Sequence, residues 1–224
     1  MNSNVVVITG ALGALGRVVA TNAVAAGATV VAIDVVDGTP VDGVSELVTV
    51  DLGDAEATAQ ALAGIAERYG RIDALVNIAG GFVWESVADG SIDTWERMFR
   101  MNVRTAVNAC KGALPHLTDN GGRIVNIGAA GAAKADMGMG AYAASKAGVA
   151  KLTESLAVEL KKRSITVNAV LPSIIDTPAN RADMPKSDFS AWVTPQDLAN
   201  VILFLLGDGA SAVTGALIPV TGKL

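Results

Sequence analysis

The chain has 224 residues and a formal net charge of −5, and 51% of its residues are hydrophobic while 17% are charged, which excludes an intrinsically disordered chain. The excess of acidic over basic residues disfavours nucleic-acid binding. The sequence has no apolar run of membrane-helix length and no basic leader, so we expect a cytoplasmic protein without membrane partners. One cysteine and one histidine cannot form an internal disulfide or a structural zinc site, and we expect no metal.

Short runs rich in Val and Ile alternate with longer Ala- and Leu-rich stretches at helical spacing. This alternation is typical of repeated βαβ units, in which a parallel sheet is covered by helices on both faces. The predicted strands lie near residues 4–9, 28–34, 46–50, 72–77, 122–128, 164–170 and 215–220. The predicted helices lie at residues 14–26, 54–69, 93–114, 141–162 and 195–206. The sequence therefore predicts an α/β fold with a Rossmann-type, doubly wound parallel sheet of about seven strands.

One stretch departs from this rhythm. Residues 172–194 contain proline and aspartate without a clear period, and we interpret residues 173–194 as an irregular substrate lid. No internal repeat or linker-like change in composition separates the halves, so we expect residues 1–224 to form a single domain. A doubly wound sheet binds its ligand beyond the carboxyl ends of the strands, so we expect functional residues in the loops there.

Glycines follow the first predicted strand. Gly10, Gly13 and Gly16 stand in the order of strand, glycine turn and helix that cradles a dinucleotide pyrophosphate. The helix N-terminus supplies free N–H groups and a partial positive charge, so no Lys or Arg is required. The alternative is a glycine turn that only lets the helix pack closely against the strand.

Asp34 ends the second predicted strand, eighteen residues after Gly16. A carboxylate at this place accepts hydrogen bonds from the hydroxyls of the adenosine ribose and repels a 2′-phosphate. We therefore expect NAD(H) to be preferred, with NADP(H) as the alternative, since the neighbouring Arg17 and the acidic Asp37 do not decide between them. The alternative is that Asp34 is a turn residue.

Tyr142 and Lys146 lie four residues apart in the predicted helix 141–162, and this spacing places their side chains on one face. A nearby ammonium favours the phenolate form, so we expect Lys146 to lower the pKa of Tyr142 and to make proton exchange with a substrate practicable near neutral pH. A Tyr and a Lys at this spacing also occur by chance in many helices.

Together these residues resemble the short-chain dehydrogenase/reductase family over essentially the whole chain. Asn77-Ile-Ala79-Gly80 is similar to its Asn-Asn-Ala-Gly motif, and residues 172–177 are similar to its Pro-Gly-x-x-x-Thr segment. The resemblance implies hydride transfer between nicotinamide C4 and a small substrate, with Tyr142 as acid or base, Lys146 on the nicotinamide ribose and Asn102 organising a proton relay. It implies a dinucleotide site formed by Gly10, Leu12, Gly13, Leu15, Gly16, Asp34, Asp51, Leu52, Asn77, Ala79, Gly80, Tyr142, Lys146, Pro172, Ile175 and Thr177.

One departure from the family concerns the chemistry. Counting thirteen residues back from Tyr142, where the family keeps a catalytic serine, reaches Ala129. Loss of that hydrogen bond at a substrate carbonyl costs on the order of 10²-fold in rate. The dihydropteridine reductase branch, which the sequence resembles locally at residues 171–178 and at Trp192, also has alanine there and prefers NADH.

We therefore expect an NADH-preferring oxidoreductase, and dihydropteridine-reductase-like activity is a candidate. The alternatives are a carbonyl or 3-oxoacyl-ACP-type ketoreductase or alcohol dehydrogenase and, from another class, a noncatalytic dinucleotide-sensing protein. Family members pair their helices between subunits, so the resemblance also implies a homodimer or homotetramer through the helices around 93–114 and 141–162. Small residues in the second helix, Ala143, Ala147 and Ala150, agree with this but also suit close packing within one subunit.

Overall fold

A seven-stranded parallel sheet runs through the middle of the protein, whose computed structural model describes residues 4–119 and 121–224. The strand order is β3-β2-β1-β4-β5-β6-β7, and each neighbouring pair is parallel. The predicted fold class is confirmed. The strands are β1 (Val5–Thr9), β2 (Thr29–Asp34), β3 (Glu46–Thr49), β4 (Ala74–Asn77), β5 (Arg123–Ile127), β6 (Thr166–Pro172) and β7 (Leu217–Val220).

Helices cover both faces of this sheet. They are α1 (Ala14–Ala25), α2 (Ala55–Tyr69), α3 (Ile92–Met98), α4 (Thr105–Ala113), α5 (Gly140–Glu159), α6 (Pro178–Asp183) and α7 (Pro195–Leu206). Val6 and Ile8 of β1 pack into a core with α1 and α7, whereas Val5 and Val7 pack into a second core with α2, α4 and α5. Because both faces of the strands are buried, their sequences are continuous apolar runs rather than alternating ones.

The strand order reverses beside β1. The chain proceeds outward from β1 to β2 and β3, and then returns past β1 to form β4 on its other side. Thr9 at the end of β1 pairs with Ile33 of β2 and Asn77 of β4, so the carboxyl ends of these strands meet at one edge. A crevice forms where the loops leave the reversal point in opposite directions.

Local signals fix several helix ends near that edge. Asp54 caps the start of α2 by accepting hydrogen bonds from the N–H groups of Glu56 and Ala57, whereas the C-cap of α2, Gly70 with a φ of +81°, lies at the amino edge. Thr194 and Asp197 form a reciprocal capping box at the start of α7. Within the described residues, none of the helices has both the length and the apolarity needed to cross a bilayer.

Two regions differ from the elements that the sequence predicts. The predicted helix 93–114 is divided into α3 and α4 by a π-helical turn at Phe99–Arg104. Such a turn inserts an extra residue and changes which side chains face the neighbouring elements, which periodicity alone does not reveal. The stretch interpreted as irregular contains α6 and a short 3₁₀ turn at Phe189–Ala191, and its ends are joined by a parallel bridge between Ile175 and Val193.

Candidate active site

A crevice of about 630 Å³ opens at the carboxyl ends of β1, β2 and β4. Its walls come from the glycine turn after β1, the ends of β2 and β3, the loop after β4, the π-helical turn and the segment after β6. The structure places these predicted site residues in its lining: Gly10, Leu12, Gly13, Leu15, Gly16, Asp34, Asp51, Leu52, Ala79, Gly80 and Thr177.

The glycine turn shapes one wall of the crevice. Gly10 has a φ of +63°, and a Cβ there would lie 2.8 Å from the backbone nitrogen of Ala79. A Cβ on Gly16 would lie 2.2 Å from the carbonyl oxygen of Gly10, so this glycine lets α1 pack against the turn. Close packing and an open helix N-terminus therefore occur together, because the N-cap residue Gly13 has no side chain to cap α1, whose first turn faces the crevice at Ala14 and Leu15.

Asp34 is held in place beside the glycine turn. Its carboxylate accepts hydrogen bonds from the N–H groups of Leu12, at 2.9 Å, and of Val35, at 2.8 Å. These bonds orient the carboxylate while it remains partly exposed in the crevice lining. Arg17 donates from Nε to the carbonyl oxygen of Leu12 at 2.9 Å.

Asp51 and Leu52 lie at the same end of the crevice as Asp34. The Asp51 carboxylate accepts a hydrogen bond from the N–H of Gly53 at 2.7 Å and pairs with Arg100 of the π-helical turn at 2.8 Å. The carbonyl oxygen of Leu52 accepts a hydrogen bond from the Asn108 amide at 2.8 Å. Contacts from the π-helical turn and α4 thus fix the loop after β3.

Asn77 does not reach the crevice. Its amide donates to the side-chain oxygen of Asn126 at 2.8 Å and to the sulfur of Cys110 at 3.3 Å, inside the second core. The backbone after Asn77 is held by Thr9, whose hydroxyl accepts hydrogen bonds from the N–H groups of Ile78 and Ala79. Asn77 therefore supports the sheet below the site and is not part of the crevice lining.

Tyr142 and Lys146 occupy one face of α5, as their spacing predicts. The Lys146 ammonium is buried and donates to the carbonyl oxygen of Ile127, at the end of β5, at 2.7 Å. A Cβ on Gly80 would lie 3.5 Å from that nitrogen, so Lys146 lies directly behind the crevice wall. The Tyr142 ring packs edge-on against Phe82, with ring centroids 4.9 Å apart and an interplanar angle of 84°.

The prediction that Lys146 lowers the pKa of Tyr142 is wrong for this structure. Burial raises the pKa of Tyr142 to about 12, because the charged phenolate would lose contact with water. Burial also lowers the pKa of Lys146 to about 8. The ammonium donates to a backbone carbonyl rather than to the phenol. At pH 7 both groups carry their protons, so the phenol is set to act as an acid.

Asn102 lies in the π-helical turn and is 1% exposed. Its side chain accepts a hydrogen bond from the N–H of Gly81 and donates to the carbonyl oxygen of Gly81, both at 3.0 Å. It also donates to the hydroxyl of Ser145 on α5 at 3.0 Å. Asn102 thus joins the loop after β4 to the helix that carries Tyr142 and Lys146.

The predicted residues after β6 lie near one end of the crevice. Thr177 lines it, and the Thr177 hydroxyl accepts a hydrogen bond from the N–H of Asn180, which leaves the hydroxyl hydrogen available to a ligand. Pro172 is buried at the end of β6, and Ile175 forms the bridge to Val193; neither contributes to the lining of the crevice. Ala129 is 5% exposed at the end of β5 in extended backbone.

Sequence reasoning missed several lining residues. Met101 and Thr105 enter the crevice from the π-helical turn and the start of α4. Met101 lies next to the predicted residue Asn102, and this position is a signal for its place in the site. The π turn that directs Met101 into the crevice cannot be predicted from the periodicity of the sequence. The others are apolar neighbours of predicted residues: Ala14, Val35, Val36, Val50 and Ile78.

Comparisons with known proteins give one consistent family. A family model described as short chain dehydrogenase matches residues 4–188. The chain is 34% identical to a meso-2,3-butanediol dehydrogenase of Serratia marcescens, with 99% of this chain and 94% of that protein covered. It is 30% identical to a 3-oxoacyl-[acyl-carrier-protein] reductase of Thermotoga maritima, with 100% and 98% covered.

A solved structure is similar over the same extent. The carveol dehydrogenase of Mycobacterium avium in complex with NAD superposes with a TM-score of 0.87 at 28% sequence identity. The alignment covers 100% of this chain and 98% of that one. The similarity therefore includes the whole sheet and the crevice at its carboxyl edge.

Proposed function

Because this chain belongs to the short-chain dehydrogenase family of oxidoreductases, we propose that it catalyses NAD(P)(H)-dependent hydride transfer with Tyr142 as the proton donor or acceptor. The observation that carries this proposal is the placement of Tyr142 and Lys146 on one face of α5, with the Lys146 nitrogen directly behind the crevice wall at Gly80. Tyr142 and Lys146 are not part of the crevice lining, but the ammonium lies next to its wall and the phenol lies one helical turn along the same face of α5.

The crevice fits a nicotinamide dinucleotide. Gly10 and Gly13 let backbone approach a pyrophosphate at the uncapped N-terminus of α1, and the oriented carboxylate of Asp34 suits ribose hydroxyls. Enzymes of this family use NAD(P), and the dinucleotide supplies or accepts the hydride at nicotinamide C4. Lys146 would hold the nicotinamide ribose, and the free hydroxyl hydrogen of Thr177 suits an acceptor at that end of the crevice.

The protein's own part in the reaction is the movement of a proton. Burial holds Tyr142 neutral at pH 7, so the phenol donates its proton to the substrate oxygen or nitrogen that gains electron density when the other atom of the reduced double bond accepts hydride. Lys146 then lies one helical turn away with a proton of its own to return, and Asn102 holds the loop against which both groups lie. The apolar side chain of Phe82 excludes water from one edge of the Tyr142 ring.

Ala129, at the position of the family's serine, limits which substrates we expect the protein to reduce. An ordinary ketone needs a second donor to stabilise the oxygen that gains negative charge, and the methyl group of Ala129 cannot provide it. We therefore favour a substrate already activated toward hydride, such as a quinonoid dihydropterin, for which the Tyr142 proton suffices. The segment from residue 173 to residue 194 would act as the lid over this substrate.

A second candidate function is reduction of a carbonyl group or oxidation of an alcohol. The observation in its favour is the similarity to a butanediol dehydrogenase and to a 3-oxoacyl-[acyl-carrier-protein] reductase, each over nearly the full length. On this alternative the chain turns over simple ketones, acyl thioesters or alcohols despite Ala129. A noncatalytic dinucleotide sensor would bind the cofactor and turn over none of these substrates.

We also propose NADH as the preferred cofactor and a self-associated state. The carboxylate of Asp34 repels the extra phosphate of NADPH at the place where the adenosine ribose binds.

A surface groove of about 820 Å³ lies between α3 with its π turn and α5, where Trp95 and Phe99 face the small residue Ala144. A second copy would cover this groove. Light scattering should give the mass of two or four chains, and a single-chain mass contradicts this part of the proposal.

The deciding experiment measures oxidation of NADH and NADPH against quinonoid dihydropterin, quinones, simple ketones and acyl thioesters, for the wild type and Ala129→Ser. We expect dihydropterin reduction with NADH in both proteins. We expect weak ketone reduction that rises by up to about 10²-fold when the serine donor is introduced.

Other outcomes decide between the alternatives. Ready turnover of ketones by the wild type, with little gain from Ala129→Ser, supports the ketoreductase. Tight NADH binding without turnover on any substrate supports the sensor. A wide preference for NADPH contradicts the role given to Asp34.

A further inference from the structure

A buried serine lies between two parts of the candidate site. Ser145 is 4% exposed on α5, one residue before Lys146. Its hydroxyl donates to the carbonyl oxygen of Tyr142 at 2.7 Å and accepts a hydrogen bond from the Asn102 amide at 3.0 Å. The hydroxyl has one hydrogen, which it donates to the Tyr142 carbonyl on α5. It therefore interacts with the Asn102 amide as a hydrogen-bond acceptor.

That polarity fixes the orientation of the Asn102 amide. The NH₂ group donates to Ser145 and to the carbonyl oxygen of Gly81, while the amide oxygen accepts from the N–H of Gly81. Rotating the amide by 180° would bring oxygen against oxygen at Ser145 and would break both bonds to Gly81. Gly81 and Ser145 therefore favour the same orientation of the amide, and Ser145 ties Asn102, in that orientation, to α5.

The held loop lies close against the π-helical turn. A Cβ on Gly80 would lie 2.5 Å from the Asn102 side-chain oxygen, and a Cβ on Gly81 would lie 2.3 Å from the terminal carbon of Met101. The next residue, Phe82, packs edge-on against Tyr142. The contacts thus close a ring that runs from Ser145 through Asn102, Gly81 and Phe82 to Tyr142, and back to Ser145 through the Tyr142 carbonyl.

We propose that Ser145 is a positioning residue which, through Asn102, sets the place of the Gly80–Phe82 loop relative to the Tyr142 ring. Gly80 lines the crevice, so the same contacts set the separation between the proposed dinucleotide site and the phenol. The effect on catalysis rests on the proposed function, whereas the effect on the Tyr142 ring does not. A displacement of about 1 Å at reacting groups costs up to about 10²-fold in rate.

The first test observes the Tyr142 ring without substrate or cofactor. The chain has two tyrosines, so protein labelled with 3-fluorotyrosine gives two ¹⁹F NMR signals, and Tyr69→Phe assigns the one from Tyr142. We expect Ser145→Ala to shift or broaden the Tyr142 signal, because the released loop moves Phe82. Ser145→Thr keeps the hydroxyl and should keep the wild-type signal.

The matched control is Ser155→Ala on the same helix. The Ser155 hydroxyl is exposed and bonds only along its own helix, to Glu159 at 2.7 Å. This variant should leave the Tyr142 signal and the thermal midpoint of unfolding unchanged. It separates loss of any serine on α5 from loss of the one that contacts Asn102.

The second test separates kcat from KM on a substrate that the wild type turns over. Ser145→Ala should lower kcat about tenfold and change KM by less than about threefold, since the reacting groups are misplaced while the crevice remains. Ser145→Thr should recover most of kcat. If no substrate is turned over, the proposed function fails while the NMR test still decides the role of Ser145.

A purely structural serine would give a different result. Ser145→Ala would then lower the thermal midpoint yet leave the Tyr142 signal and kcat at their wild-type values, and this outcome overturns the proposal. Ser145→Thr behaving like Ser145→Ala in both measurements also overturns it, because the hydroxyl would not be the feature that acts.

Discussion

A buried charged side chain lies at each edge of the sheet, Asp73 at the amino edge and Lys146 at the carboxyl edge. The two differ in how many hydrogen bonds compensate their burial. At the amino edge, the Asp73 carboxylate accepts hydrogen bonds from the N–H of Val5, from Arg71 and from Thr118. At the carboxyl edge, Lys146 donates to a single carbonyl oxygen, and none of the ion pairs among the described residues includes it.

The difference separates stability from chemistry within one sheet. Three donors compensate the burial of Asp73, and that site ties β1 to β4 and to the segment before β5. Burial of Lys146 is not compensated in this way, so its pKa falls to about 8 and its proton is readily exchanged. Asp73 at the amino edge thus stabilises the fold. Burial of Lys146 at the carboxyl edge lowers the stability of the fold, but it gives the ammonium a pKa that suits proton transfer.

The largest effect should come from Tyr142→Phe at the carboxyl edge. Removing the phenol oxygen leaves the ring and its packing on Phe82, but it removes the proton that the substrate needs. We expect kcat to fall by about 10³-fold while the free energy of unfolding changes by less than about 1 kcal/mol. NADH oxidation and urea unfolding measure the two. Turnover within a few-fold of the wild type would remove Tyr142 from the chemistry.

The next largest effect should come from Asp73→Ala at the amino edge. The substitution leaves the Val5 N–H and the Arg71 guanidinium without their shared acceptor, so we expect a loss of about 3 kcal/mol in the free energy of unfolding. At a temperature where the variant is folded, kcat should be unchanged. Glu67→Ala removes an exposed carboxylate and should change stability by less than about 0.5 kcal/mol. Equal effects of the two substitutions would contradict the comparison.

A smaller effect of opposite sign should follow Lys146→Met. At pH 7 the wild type carries a buried ammonium that methionine replaces with an apolar chain of similar length, at the cost of one hydrogen bond to Ile127. We expect the variant to be inactive yet more stable by about 2 kcal/mol in urea unfolding. A loss of stability would show that the ammonium is compensated as well as Asp73 is.

The pH dependence of that difference sharpens the test. The pKa of Lys146 is about 8 in the folded protein and 10.5 as its ordinary value. Between these values the unfolded chain binds the proton and the folded chain does not, so wild-type stability from this group rises with pH. The advantage of Lys146→Met should therefore be full below pH 8 and shrink as the pH approaches 10.5. A constant advantage would mean that burial of the charge is not its source.

Much of this fold follows from the sequence because its signals are local. Apolar runs on both faces of the strands, and the glycines around Gly10, specify a covered parallel sheet with a crevice at its carboxyl edge. The spacing of Tyr142 and Lys146 gives their common face. These features depend on short continuous apolar runs for the buried strands and on a helix period of 3.6, which the chain displays directly.

Other features depend on contacts between distant parts of the chain. The Asn102 side chain in the π turn forms hydrogen bonds with Gly81 and Ser145, which are 21 and 43 residues away along the chain. No periodicity in the sequence indicates this turn. The spacing of Tyr142 and Lys146 does not predict the pKa of Tyr142, because burial of the phenol in the folded protein raises it. Asn77 was placed in the dinucleotide site by its motif, whereas its partner Asn126 turns it into the core.

The most direct measurement is a crystal structure of the protein with bound NADH. We predict the nicotinamide beside Tyr142, with a hydroxyl of its ribose at hydrogen-bond distance, about 3 Å, from the Lys146 nitrogen and the adenosine ribose on Asp34. A crevice that stays empty at saturating NADH, or a nicotinamide bound away from Tyr142, would contradict the account.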